Sequence, residues 1–258
     1  MRIARSIVLA LLFVVGGLAL AQGMGDAGTA RVTLHNTSPQ AISPPVVVVH
    51  EAGYAPFAVG AAAPSELVLL AEDGDASELA VVARVAPGVH GVVVAEGPLP
   101  PGERVTLEVP VAADTPYLTV LGMLVTTNDA FAHVAIDARE AAMAGDDMSG
   151  DGMGGSGDGM GDDMADGGMA MEGDAMAMSG HAPPSDGVVR VYDAGSERDT
   201  EACAHIPGPP CGNAGVRVEE GAEGHVALDG GILGAGDLDP AEWDWRNPVL
   251  EVQVELAN

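Results

Sequence analysis

The sequence predicts an all-β protein, an antiparallel β-sandwich, and three observations carry that expectation. From Arg31 onward, short Val-, Leu- and Thr-rich runs alternate with Pro, Gly and acidic turn residues. Two of the runs, Arg104–Val109 and Val249–Leu256, alternate polar and apolar side chains with period two, as a strand with one wet face does. Only two short stretches carry a helical pattern. Many short strands joined by tight turns bury their apolar faces as two packed sheets.

Residues 1–21 read as a cleavable signal peptide. Arg2 and Arg5 precede the apolar stretch Ile7–Leu20, and Ala19-Leu20-Ala21 offers a small-residue cleavage site. The apolar stretch is shorter than the roughly 20 residues that a spanning helix needs. The expected location is therefore secreted or periplasmic, with no stable membrane insertion after cleavage.

Residues 22–142 hold the first part of the sandwich. Strands are expected at Arg31–Leu34, Val46–His50, Val89–Ala95, Arg104–Val109, Tyr117–Thr126 and Ala132–Ile136. Helices are expected at Pro64–Ala71 and Ala76–Val85, separated by the acidic turn Glu72-Asp73-Gly74-Asp75. Asp73, Asp75 and Ser77 begin like a calcium-binding EF-hand loop. Glu78 then stands where that loop needs Gly and Arg84 where it needs Glu, so the segment reads as a solvated acidic turn.

Residues 143–180 differ abruptly. Nine of the twelve Met lie here among Gly, Asp, Ala and Ser, with no β-branched or aromatic residue. Such a composition buries too little to offset its ordering entropy, which predicts a disordered insertion in one loop. Met thioethers are soft ligands suited to Cu(I), and His181 lies at the segment's edge, so periplasmic copper handling is the alternative functional expectation; an oxidisable acidic spacer is the simpler one.

Residues 181–258 complete the sandwich, with strands expected at Gly187–Tyr192, Arg217–Glu219, His225–Leu228 and Val249–Leu256. Cys203 and Cys211 are the only cysteines. In an exported chain, with Pro207, Gly208, Pro209 and Pro210 between them and no zinc-ligand spacing nearby, they read as one local disulfide. Of Trp243 and Trp245, one is expected to pack inward.

Charge narrows the function. Ten Lys+Arg, all of them Arg, face 38 Asp+Glu, for a net charge of −28. Neither nucleic acid nor an anionic membrane surface is a partner for such a chain. The chain has no His-Glu-x-x-His, no G-x-S-x-G elbow and no Walker loop, and no catalytic residue is expected.

More informative are Thr127-Asn128-Asp129-Ala130-Phe131 and Tyr192-Asp193-Ala194-Gly195. With them come Ile206–Gly212, Gly236–Pro248, Ile42–Val47 and the Ala71–Asp75 turn. This series resembles the spondin-type domain, the module at the N-terminal side of F-spondin and mindin, and is especially similar to the exported bacterial branch. The resemblance spans Ala30 to Leu256 apart from the Met-rich insertion. It implies a sandwich similar to C2 domains, with one calcium ion held by loops at one end. The carboxylate ligands would be Asp129, Asp193 and Glu197, the last at a position where animal members commonly have Asp. It also implies a non-catalytic adhesion or recognition module whose partner is an extracellular protein or glycan.

Ca²⁺ takes six to eight hard oxygens at about 2.3–2.6 Å. Residues four apart on a straight strand are about 13 Å apart, so Asp193 and Glu197 can share an ion only if the chain turns between them. Gly195 makes that turn inexpensive. In a chain this acidic, the same three side chains could equally be ordinary loop carboxylates.

Overall fold

The computed structural model describes residues 28–111, 117–146, 180–212, 216–245 and 248–257. The expected signal peptide, and the Met-rich insertion apart from its two ends, lie outside the described residues.

The fold is mostly β, in two antiparallel sheets. In chain order the strands are β1 (Gly28–Asn36), β2 (Val46–His50), β3 (Val89–Val94), β4 (Arg104–Val111), β5 (Tyr117–Met123), β6 (Ala130–Asp137), β7 (Arg190–Asp193), β8 (Ala227–Leu228) and β9 (Leu250–Ala257). Among the described residues four helices accompany them: α1 (Ser65–Asp73), α2 (Ser77–Val85), α3 (Ala138–Asp146) and α4 (Pro240–Trp243). The small sheet has the order β4-β1-β9 and the large one β3-β2-β5-β6-β7-β8.

Alternation and its absence both follow from where each sheet lies. In β1, Ala30, Val32 and Leu34 point inward while Arg31 and Thr33 point out. The inward set meets Val47, Val49, Leu118, Val120, Ala132 and Val134 of the large sheet in one core, which also takes Trp245. The large sheet is covered on its other face too, so β2 is buried at all five positions and reads Val-Val-Val-Val-His. That second face carries Val46, Val48, Leu121, Phe131 and Tyr192. It packs under Leu67, Leu70 and Ala71 of α1 and Leu79 and Ala83 of α2, spaced three and four apart as a helical stripe requires. Phe57 closes the layer edge-on to Phe131 and Tyr192, with ring centroids 5.2 and 5.1 Å away.

Three expectations are corrected. Arg217–Glu219 is not a strand; it is a loop whose Val218 carbonyl accepts a bond from the Arg198 N–H, without a ladder. Helix α3 was not foreseen and runs across the expected boundary at 142/143, because Asp137 Oδ1 accepts from the Arg139 N–H and caps its first turn. The expected acidic turn Glu72-Asp73-Gly74-Asp75 is not wholly solvated, since its first two residues belong to α1 and Glu72 is buried. Cys203 and Cys211 form the expected disulfide, with Cα atoms 4.8 Å apart. Among the described residues no helix is long and apolar enough to cross a membrane.

Candidate functional site

At one end of the large sheet, the β5–β6 turn meets the chain leaving β7. Thr127 builds the first of these. Its hydroxyl donates to the Leu124 carbonyl at 2.6 Å and accepts from the Ala130 N–H at 3.0 Å, closing the hairpin so that Asn128 and Asp129 are buried. In the β6–β7 register Ala130 stands opposite Asp193, and the Ala194 N–H bonds to the Asp129 carbonyl at 3.2 Å. Asp129 and Asp193, 64 positions apart in sequence, are thereby set side by side.

The chain then turns as the Gly195 argument requires. Asp193 Oδ1 accepts from the Gly195 N–H at 2.5 Å, and Gly195 has φ of +67°. A Cβ added there would come within 2.3 Å of the His225 carbonyl oxygen, so only glycine fits. The turn brings Ser196 and Glu197 back over Asp129. Asp129 Oδ2 accepts three bonds: from the Ser196 N–H at 2.7 Å, the Ser196 hydroxyl at 3.0 Å and the Glu197 N–H at 2.9 Å. Asn128 Oδ1 accepts from the Thr200 N–H at 3.0 Å, while its amide nitrogen donates to Glu197 Oε2 at 3.3 Å.

The three residues singled out in the sequence are therefore brought together and buried, with Asp129 at 0% exposure, Glu197 at 3% and Asp193 at 6%. Asp129 Oδ1 is buried without any partner. An ionised carboxylate costs several kcal/mol in such a place unless something compensates it. Burial pushes the Asp129 carboxyl up against the three hydrogen bonds that favour its charge. Burial, then the neighbouring Asp129 charge, raises Asp193. Glu197 is pushed up to about 7, by burial first and then by Glu72 and Asp129.

Sequence reasoning missed further members of this cluster, Glu72 and Asp229 among them. Glu72, at the end of α1, is buried and lifted by desolvation, and it feels Asp129 as well as its ion-pair partner Arg217. Gly74 ends α1 in the left-handed conformation, with its N–H on the Leu70 carbonyl at 3.0 Å, which fixes where Glu72 sits. Asp229, just after β8, is raised to about 6 by burial, with Asp129 contributing. Both lie in acid-rich stretches that composition could not rank. Glu201 belongs to the loop scaffold instead. Its two carboxylate oxygens each accept a backbone N–H at 2.6 Å, from Leu233 and Ala235.

Among the described residues no three His, Cys, Asp or Glu side chains stand close enough to hold a metal ion as placed. The cluster is gathered around Asp129 but not converged. It nonetheless suits a hard cation, because its donors are carboxylate oxygens, one of them is buried and unpartnered, and their charges repel one another. Asp129, Asp193 and Glu197 would hold such an ion.

A second polar group lies on the helix-covered face of the large sheet. The His50 Nδ1–H donates to the Glu51 carbonyl at 2.7 Å, and its Nε2 is 2.8 Å from the Thr119 hydroxyl. His133 is held neutral, its pKa pushed down to about 3 by desolvation, and its Nε2 has no partner. Both border a cleft of about 200 Å³ with Tyr54 and Tyr117. No carboxylate lines it, so it offers a hard cation nothing. No family model matches the chain, and no curated protein matches it.

Proposed function

We propose that the chain is an exported, spondin-like recognition or adhesion module whose loops bind one calcium ion and which catalyses no reaction. The observation that carries this reading is the fully buried Asp129, whose Oδ1 lacks a partner among carboxylates that raise one another's pKa. A divalent cation supplies the missing positive charge, and the three bonds to Oδ2 leave the other oxygen free for it. The motif series that resembles spondin-type domains falls on this cluster: Thr127 closes the hairpin, Ala130 next to Asp129 pairs with Asp193 across β6 and β7, and Gly195 turns the chain. The Cys203–Cys211 disulfide and the signal-like first 21 residues support export.

Recognition is supported by what flanks the cluster. Asp193 pairs with Ala227, so β8 forms the sheet edge beside it, and Leu228 on that edge is 64% exposed, with Leu233 in the following loop 75% exposed. Calcium would order these loops and neutralise their charge, leaving an apolar rim for an extracellular protein or glycan partner.

The test is calorimetric titration of the metal-stripped chain with Ca²⁺, repeated on Asp193→Asn. Saturable binding near one equivalent, lost in the variant, is the expected result. Absence of heat and of any thermal shift at millimolar calcium would refute the reading.

A further inference from the structure

Arg217 stands apart from the acidic surroundings of the site. Among the described residues it is the one basic side chain ion-paired to the cluster: one guanidinium nitrogen meets the buried Glu72 carboxylate and the other lies 2.5 Å from Asp73 Oδ2. Its charge is also felt by Glu197. The loop that carries it is tied by backbone to the candidate ligand turn. The Arg198 N–H donates to the Val218 carbonyl at 3.0 Å, and the Gly224 N–H to the Gly195 carbonyl at 2.8 Å. Residues 216–224 thus have two kinds of anchor: main-chain bonds to the Asp193–Arg198 turn, and a side-chain ion pair to the end of α1.

We propose that Arg217 is the resident counter-ion of the cluster, and that a divalent cation bound at Asp129, Asp193 and Glu197 competes with it for the same negative charge and loosens it from Glu72. This rests on the calcium reading above and adds its regulation. The argument is electrostatic. Glu72, Asp129, Asp193 and Glu197 are four buried carboxylates, and one guanidinium offsets part of their repulsion. A divalent ion placed among them offsets more, after which the unit charge on Arg217 repels the ion instead of being needed. A fixed cation in the loop therefore sets the affinity of the site. It also makes the 216–224 loop the element that responds, since its side-chain anchor weakens while its main-chain anchors tighten with the turn.

The experiment compares the full chain, metal-stripped, with Arg217→Gln and Arg217→Lys. Arg217→Gln is expected to bind Ca²⁺ about tenfold more tightly, as removal of one nearby unit charge in partly buried surroundings implies. Arg217→Lys keeps the charge and is expected to stay near the parent affinity. In chelator, Arg217→Gln should melt below the parent, and saturating calcium should close the gap. In the unmutated chain, the Arg217 Nη–H protons, which make the contacts to Glu72 and Asp73, should exchange with water faster when calcium is added, which tests displacement even if Arg217→Gln does not fold. Equal or weaker calcium binding by a folded Arg217→Gln would overturn the proposal and make Arg217 a mere fastener of the loop, as would unchanged exchange of the Arg217 Nη–H protons. Loss of all calcium binding in the parent and both variants would overturn it together with the site itself, an outcome distinct from equal affinity in all three.

Discussion

Asp129 is the residue on which the calcium reading can be tested without confusing binding with folding. Alanine is the wrong probe. It removes Oδ2 from three donors, the Ser196 N–H, the Ser196 hydroxyl and the Glu197 N–H, and each unpartnered buried donor costs about 1–3 kcal/mol. The sum is a large share of the roughly 5–15 kcal/mol that holds a domain folded. Asp129→Asn keeps an oxygen for those donors and replaces the unpartnered Oδ1 with an N–H beside neighbouring carboxylates. In chelator the Asn variant should melt no lower than the parent, because a buried charge has gone. Calcium at a hundred times its Kd stabilises the parent by about 2.7 kcal/mol. At about 2–4 °C per kcal/mol for a domain of this size, that is a rise of roughly 5–11 °C in Tm. Asp129→Asn should show none of it. The assay is a pair of melting curves per protein, in chelator and in calcium, followed by circular dichroism. A calcium shift of parental size in Asp129→Asn would refute the assignment. A fall in chelator as deep as that of Asp129→Ala would show that the carboxylate is a structural cap alone.

Three further outcomes follow from the same geometry. Metal-free stability should decline as pH rises from about 5 to 8. The folded pKa values of Asp193, Glu197 and Asp229 are raised, so the folded state holds protons that the unfolded chain has already released, and that advantage disappears as these groups ionise; melting temperatures in chelator across that range check it, and calcium should flatten the slope. His133 acts with the opposite sign. Its pKa is depressed to about 3, so the unfolded chain takes up a proton below about 6.5 that the folded one refuses, a loss of about 2 kcal/mol at pH 5. His133→Phe, whose ring keeps the edge contacts to Phe57 and Tyr192, should recover that loss at pH 5 and change little at pH 8. Gly195→Ala should destabilise by more than about 1 kcal/mol and abolish calcium binding, because its Cβ meets the His225 carbonyl at 2.3 Å in a left-handed backbone; denaturant midpoints measure the first effect and titration the second.

The sandwich was legible because its strands lie in different environments. Arg104–Val109 alternates since β4 is an edge strand with one wet face, and the observed strand extends that run by two residues. The Val46–Val49 run does not alternate, yet its β-branched composition marks a strand, and the reason is burial on both sides, one of them under α1 and α2. Where expectation failed, the deciding interactions were long-range. Arg217-Val218-Glu219 has strand-like residues at its centre, but the edge beside β7 is taken by Ala227–Leu228, so the segment has no ladder to join. Helix α3 owes its start to an Asp cap in a chain where Asp is too common to signal one.

The site was legible only as far as its motifs reached. Thr127, Asp129, Asp193 and Gly195 each need one particular residue type: a hydroxyl that bonds both ways, a carboxylate that collects three donors, an Asx turn, and a backbone without Cβ. Requirements that specific leave a pattern in sequence. Glu72 and Arg217 need only opposite charge and proximity. Any of 38 acids and ten Arg could meet that, so nothing but the fold selects them. The same distinction separates what each residue does. The motif residues set where the negative charge stands, and Glu72 with Arg217 sets how strongly it is already compensated. A chain that kept every motif residue but carried a neutral side chain at position 217 should therefore retain the site while binding its cation more tightly.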